Sequence, residues 1–110
     1  MKLIAHAAEE VPVITPDGAE RRILSYSDRL MLVQFNFGAN VASWEHNHPH
    51  EQVGYVVSGE IDVFMEGHEP VRLKAGGSYF VPSDVRHYIK TYVPTVLIDC
   101  FTPQREDFLK

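Results

Sequence analysis

Three histidines and one glutamine are the residues of this sequence best suited to bind a metal ion. His46, His48 and Gln52 lie in one short segment, and His87 occurs where a later strand would return. Side chains at even spacing in an extended chain point to the same side, so the first three can reach one interior. Imidazole and amide ligands suit Ni, Zn, Mn or Fe, and the absence of a thiolate argues against a closed structural zinc site. We expect one divalent transition metal with coordination positions left open for substrate.

A second group of candidate residues lies near the C-terminus. Asp99 interrupts the apolar segment 96–101, and Phe101 shares its parity, so both side chains face the same way. Arg105 follows, close enough to the end of the strand to fold over a cavity mouth. One interpretation is a structural ion pair between Asp99 and Arg105 that closes the barrel. The other is a catalytic acid or base, an aromatic wall and a carboxylate-binding guanidinium arranged around the metal.

Other reactive side chains receive less specific interpretations. His50 directly follows Pro49, where the backbone must turn, so we expect a position at the rim or a hydrogen bond and no metal ligation. Glu51 has the opposite parity to Gln52 and should point elsewhere. The single Cys100 lies in an apolar strand and is expected to be a small core residue rather than a nucleophile.

Length and composition exclude several classes of protein. The 110 residues are enough for a single domain, 1–110, with 45% apolar and 23% charged residues. A net charge of -5 and the lack of a basic stripe argue against nucleic acid and anionic membranes as partners. No apolar run approaches the roughly 20 residues that span a bilayer, and no signal-peptide pattern begins the chain. The lone cysteine fits a reducing compartment, so we expect a cytoplasmic protein.

The remaining pattern predicts an all-β protein. Short segments rich in Val, Ile, Phe and Tyr recur every 8–12 residues between turn residues, which is typical of a sandwich or barrel. A short helix is expected only at Pro103–Leu109, and Ser58-Gly59 is expected to form a tight hairpin link. The predicted strands are Val11–Ile14, Arg29–Phe37, Ser43–Asn47, Gln52–Ser58, Glu60–Glu66, Val71–Leu73, Ser78–Val81, His87–Tyr92 and Val96–Phe101.

Two segments resemble the motifs of a known family. Residues 46–52, with a glycine at 38 and another at 59, are similar to the first cupin motif. Residues 76–82 together with His87 resemble the second. The resemblance implies a cupin-type double-stranded β-helix, or jelly-roll barrel. Gln52 stands where a ligand carboxylate is usual, and Gly76-Gly77 replaces the usual Gly-Asp. A neutral amide leaves the charge of the ion less compensated and makes it a stronger Lewis acid.

Segments 46–55 and 99–109 together resemble the KdgF family, the small bacterial cupins of pectin degradation. That resemblance implies conversion of 4,5-unsaturated monouronates, released by pectate or alginate lyases, to the linear 4-deoxy-5-keto uronate. It also implies a set of site residues, with metal ligands at His46, His48, Gln52 and His87 and substrate or catalytic residues at Asp99, Phe101 and Arg105.

Three other expectations remain open at this level. A metal-dependent cupin dioxygenase, an isomerase of another small acid and a non-catalytic sugar-acid-binding cupin would share the same motifs. Small cupins usually dimerise, so a homodimer is expected, with Val11–Ile14 as a candidate for exchange or sheet extension. The sequence decides neither the metal nor the preference between pectin-derived and alginate-derived uronates.

Overall fold

Two antiparallel sheets make up the protein, whose computed structural model describes residues 1–109. The two 3₁₀ helices are Ala7–Glu9 and Glu106–Leu109. The strands within the described residues are β1 (Val13–Ile14), β2 (Glu20–Tyr26), β3 (Met31–Phe37), β4 (Glu51–Ser58), β5 (Glu60–Met65), β6 (Val71–Lys74), β7 (Ser78–Val81), β8 (His87–Thr91) and β9 (Thr95–Thr102).

The strand order is that of a jelly-roll barrel. The larger sheet has the order β1-β2-β3-β9-β4-β7, and the smaller one has the order β6-β5-β8. All neighbouring strands pair antiparallel. The expected all-β cupin-type fold is therefore confirmed.

Strands β4 and β9 lie side by side at the centre of the larger sheet and bring polar residues together. Burial alternates along both strands, as the period of two requires. Gln52 pairs with Phe101, and Gly54 pairs with Asp99. Because these four residues share the inward face, the register places two predicted site regions next to each other inside the barrel.

Apolar side chains fill the rest of the interior in two clusters, and their burial is the main source of stability. The smaller cluster consists of Met31, Val33 and Phe101. The larger cluster joins the two sheets and contains Ala19, Phe37, Val56, Ile61, Val63, Tyr79, Val81, Ile89 and Leu97.

One strand was missed by the prediction, and one predicted strand was wrong. Strand β2, Glu20–Tyr26, was not predicted, because all seven residues are half-buried and a register shift between Ile23 and Tyr26 disturbs the alternation. Residues 43–47 do not form a strand. This segment contacts β8 only locally, through an isolated bridge between His46 and His87 and a hydrogen bond from Ser43 N–H to the Ile89 carbonyl.

The Ser58-Gly59 prediction was correct in conformation and wrong in topology. Gly59 has the positive φ of 97° that the turn was expected to need. However, β4 pairs with β7 and β9, so the turn carries the chain from one sheet to the other and closes no hairpin. A Cβ at this glycine would approach the Thr95 hydroxyl to 2.3 Å, which adds a second reason for glycine.

The C-terminal segment is less helical than predicted. Only Glu106–Leu109 is helical, as one short 3₁₀ turn. Among residues 1–109, no helix has the length and apolar character needed to cross a membrane.

Candidate metal centre and adjoining cavity

Three of the predicted metal ligands come together, with His48 and His87 buried in the barrel and His46 exposed beside them. His46 lies opposite His87 in the isolated bridge, where each backbone N–H donates to the carbonyl of the other, at 3.1 and 2.9 Å. His48 joins them, and its ring centroid lies 4.9 Å from that of His87. One ligand atom from each of the three imidazoles lies within 4.8 Å of the others.

Backbone carbonyls fix which nitrogen of each imidazole carries the proton. The Nδ1 atoms lie 2.7, 3.0 and 2.9 Å from the carbonyl oxygens of Trp44, His50 and Val85, for His46, His48 and His87 respectively. Since a carbonyl oxygen only accepts, each Nδ1–H donates, and the Nε2 lone pair remains available to a metal. Such outer hydrogen bonds are the usual means by which proteins orient metal-binding histidines.

Two features of the Nε2 atoms fit a metal ion. Nε2 of His87 is buried and has no hydrogen-bond partner among residues 1–109, although buried polar atoms are normally paired. Nε2 of His48 lies 3.1 Å from Oε1 of Gln52, so two lone pairs face each other. That contact is repulsive unless a cation lies between the atoms, and the spacing suits adjacent ligands at about 2.0–2.2 Å from one ion.

The protonation of the histidines also favours ligation. Burial lowers the pKa of His87 to about 4, and burial also lowers the pKa of His48. Both imidazoles are therefore neutral at pH 7, the form that binds metals. Three imidazoles and one amide fit a divalent transition metal, with His46, His48, Gln52 and His87 as the residues that would hold it.

Asp99 is buried beside this centre. Its side chain is only 3% exposed, and the Tyr79 hydroxyl donates to its Oδ1 at 2.9 Å. Burial raises the pKa of Asp99 to about 6, although hydrogen bonds from Gln52 and Tyr79 and the charge of Arg105 act in the opposite direction.

The space for this pair is made by Gly54. A Cβ at this position would lie 2.2 Å from Cζ of Tyr79 and 2.5 Å from Oδ1 of Asp99. Any side chain here would displace the hydrogen-bonded pair. Neither Gly54 nor Tyr79 was predicted as a site residue, although a glycine within a strand often marks a close approach of neighbouring groups.

Arg105 does not pair with Asp99, so the predicted structural ion pair is wrong. Its Nε and Nη2 donate to the two carboxylate oxygens of Asp107, at 3.0 and 2.7 Å. Its guanidinium carbon lies 4.1 Å from the ring centre of Phe108 and 5.2 Å from that of Phe101. The short 3₁₀ helix supplies Asp107 and Phe108. Arg105 therefore pairs with a carboxylate of its own C-terminal segment and not with Asp99 of β9.

A cavity of about 390 Å³ connects these groups, within the range of small-molecule sites. Of the predicted site residues, all except His48 line it. The prediction missed several other residues of its wall, because they come from β2, β7, loops and the C-terminal 3₁₀ helix. They are Asp17, Arg21, Trp44, Tyr79, Asp107 and Phe108.

His50 links the metal segment to the C-terminal segment. Its Nε2 lies 3.0 Å from the Gln104 carbonyl and donates to it, which agrees with the expected hydrogen bond. It does not belong to the three-histidine group. Cys100 is half-buried on the face of β9 opposite Asp99, so the expectation of a small core residue was only partly met.

The fold and this centre define a cupin. Residues 31–100 match the model of the cupin domain family, and the chain belongs to that family. It is similar to the pectin degradation protein KdgF of Dickeya dadantii, at 37% identity over 95 residues, which cover 84% of this chain and 86% of that one.

Solved structures agree with this relationship. A KdgF structure from a Halomonas species has 29% identity and a TM-score of 0.86, covering 97% of this chain and 99% of that one. An RmlC-like cupin from Shewanella frigidimarina has 34% identity and a TM-score of 0.92, covering 98% of this chain and 96% of that one.

Proposed function

We propose that this protein is a metal-dependent enzyme that converts 4,5-unsaturated monouronates to the linear 4-deoxy-5-keto uronate. The observation that carries the proposal is a group of three imidazoles beside one cavity, which is also lined by a buried carboxyl group and a guanidinium. The likeness to a pectin degradation protein supports the choice of substrate.

The reaction is an isomerisation in which one proton changes place. The bond between C1 and the ring oxygen breaks, the anomeric hydroxyl loses its proton, and C4 gains one as the enol becomes a ketone. Asp99 would accept the first proton and deliver the second, since a pKa of about 6 allows both roles near neutral pH. Tyr79 donates to the carboxylate and would hold it towards the cavity.

Other residues would bind the sugar acid. Phe101 forms a wall of the cavity and would pack against the sugar ring. Arg105 would bind the substrate carboxylate through its planar pair of donors. A divalent metal bound by His46, His48, Gln52 and His87 would supply Lewis acidity towards substrate oxygens.

The test follows the loss of ultraviolet absorbance of unsaturated galacturonate with metal-loaded protein, metal-stripped protein and no protein. Metal-loaded protein should accelerate the loss, and stripping should return the rate to the spontaneous one. Full activity after exhaustive chelation would refute the metal dependence. Consumption of oxygen in the same assay would indicate a dioxygenase instead.

We also propose that alginate-derived unsaturated uronates are substrates. They share the C4 to C5 double bond and the carboxylate, and these are the features that Asp99 and Arg105 would recognise. The same absorbance assay with each uronate tests this. Turnover of the pectin-derived uronate alone would restrict the proposal.

A homodimer is proposed from the exposed apolar surface. Val53, Tyr55 and Val57 on the outer face of β4 are 50, 48 and 47% exposed, and Phe80 on the neighbouring β7 is 48% exposed. Strand β1 also ends the larger sheet and could extend it. Sedimentation should give a dimer for the wild type and a monomer for Tyr55→Lys. A monomeric wild type would contradict the proposal.

We infer a cytoplasmic location from the lone Cys100, because a chain without an internal disulfide is suited to a reducing compartment. Fractionation of the source cells tests the inference. Recovery of the protein outside the cytoplasmic fraction would contradict it.

A further inference from the structure

Arg21 is a charged residue on the inner face of the barrel wall. It lies on β2 opposite Phe35 of β3, and it lines the same cavity as the metal ligands. Its guanidinium carbon lies 4.0 Å from the ring centre of Phe108. The next residue, Arg22, has different contacts. Its Nε donates to the Glu10 carbonyl at 3.2 Å, and the residue does not line the cavity.

Two guanidinium groups thus share one aromatic ring at the cavity mouth. Arg105 lies 4.1 Å from the ring centre of Phe108, almost the same distance as Arg21. Asp107 is the carboxylate that interacts with both, but its two oxygens accept hydrogen bonds from Arg105. These three ionised groups leave one positive charge without a matching negative one.

The other acidic groups of the cavity do not supply that negative charge. Asp17 accepts hydrogen bonds from the Thr15 hydroxyl and from the Trp44 backbone N–H, the latter at 3.3 Å. Asp99 accepts its hydrogen bond from Tyr79. Among residues 1–109, Arg21 forms no salt bridge. A partly desolvated cation at such a position is stabilised when an anion arrives.

We propose that Arg21 is a specificity-determining residue that binds the carboxylate of the substrate, with Arg105 as its partner. This inference rests on the proposed function for the identity of the anion. Arg105 already donates two of its N–H groups to Asp107, so a new carboxylate must compete there. Arg21 offers its donors without that competition, and the stacking on Phe108 holds its guanidinium plane in place.

The role predicts a specific kinetic signature. Arg21→Gln should raise KM for unsaturated galacturonate by roughly tenfold to a hundredfold, as expected for the loss of a hydrogen bond between charged groups, with kcat nearly unchanged. Arg21→Lys should recover only part of the loss, because an ammonium lacks the bidentate geometry. Arg22→Gln removes the same charge from the same strand and should leave KM unchanged.

A binding measurement separates this inference from the proposed reaction. Calorimetric titration of metal-loaded protein with D-galacturonate and with neutral D-galactose should show the same preference for the acid in the wild type and in Arg22→Gln, and a clearly weaker preference in Arg21→Gln, where Arg105 remains. This result without any turnover would keep the inference and refute the proposed function. Turnover with an unchanged KM and an unchanged preference in Arg21→Gln would overturn the inference, and so would parallel losses of kcat and melting temperature.

Discussion

The floor and the mouth of the cavity are built from different kinds of contact. The floor consists of His46, Gln52, His87 and Asp99, together with His48, which adjoins the cavity without lining it; strand pairing and backbone carbonyls fix these residues. The mouth is formed by Arg21, Arg105, Asp107 and Phe108, which are held by ion pairing and stacking between side chains.

This difference separates two roles. The three imidazoles cannot reorient without breaking hydrogen bonds to backbone carbonyls, and Asp99 cannot do so without losing the one from Tyr79, so these groups suit chemistry that needs a fixed geometry. Groups of the mouth are held only by contacts between side chains, and Asp107 is solvent-exposed, so Arg105 can exchange this partner for another carboxylate. We therefore expect changes at the floor to reduce kcat or metal binding, and changes at the mouth to alter KM.

The largest effect is expected from His48→Ala, at the floor. It removes a buried imidazole whose Nε2 faces Gln52, so metal content and activity should both be lost. Elemental analysis and the absorbance assay measure the two. The matched control is His68→Ala, which removes an exposed histidine. A fully active, metal-replete His48→Ala protein would exclude this residue as a ligand.

The next effect is expected at Asp99. Asp99→Asn should lower kcat by about a hundredfold to ten-thousandfold, the usual contribution of a proton-transfer group, while metal content stays unchanged. The control is Asp62→Asn, since Asp62 pairs with Arg72 outside the cavity. Wild-type turnover of Asp99→Asn would rule out the proton-transfer role.

A stability effect should follow from filling the space at Gly54. Gly54→Ala forces Tyr79 and Asp99 apart, and overpacking of this kind destabilises by about 1–3 kcal/mol. Gly38→Ala is the control, because the Cβ there would meet nothing closer than Val41 at 3.9 Å. Denaturant titration measures the free energy of unfolding, and equal values for the two variants would contradict the crowding.

At the mouth, the expected effect is smaller and concerns KM. Arg105→Lys should raise KM for the uronate by roughly tenfold, because an ammonium does not reproduce two parallel hydrogen bonds. Asp107→Asn should lower KM for the uronate, since it frees the guanidinium of Arg105 from its present partner. If both variants keep the wild-type KM, Arg105 has a structural role only.

The smallest effect is a change in the pH dependence of stability. The raised pKa of Asp99 means that the folded state keeps this proton to a higher pH than the unfolded state does. This contribution to the free energy of unfolding therefore falls as pH rises from about 4 to 6. The lowered pKa values of His87 and His48 act in the opposite direction, because the unfolded state binds those protons more readily. In the wild type the two contributions partly cancel.

Removing the carboxyl group should expose the histidine contribution. For metal-free Asp99→Asn, stability should rise more steeply than for the wild type between about pH 4.5 and about pH 6. Urea titrations of both proteins at the two pH values provide the measurement. Identical slopes would show that Asp99 titrates in the same way in the folded and unfolded states.

The floor was largely predictable from the sequence, whereas of the mouth residues only Arg105 was. The even spacing of His46, His48 and Gln52 follows from strand geometry, and turn residues predict the barrel. The contribution of Arg21 depends on β2, whose half-buried residues carry no clear alternation. The pairing of Arg105 with Asp107 depends on how one short 3₁₀ turn folds, which residue spacing does not determine.

Tyr79 illustrates a second limit. Its position in an apolar strand is that of an ordinary core residue, and it does pack in the larger cluster. Its hydroxyl matters because the register of β4 with β7 and β9 places Gly54 beside both Tyr79 and Asp99. Three strands distant in sequence create this contact, so no local pattern could have revealed it.

The crowding at Gly54 also restricts how this corner of the barrel can evolve. A larger residue at position 54 becomes tolerable only after Tyr79 has been replaced by something smaller, and that first step removes the hydrogen bond to Asp99. Whichever of the two positions changes first, the intermediate protein is therefore impaired, either by crowding at Gly54 or by loss of the Tyr79 hydrogen bond. Among related sequences, positions 54 and 79 should covary, and any lineage with alanine at 54 should have lost the tyrosine as well.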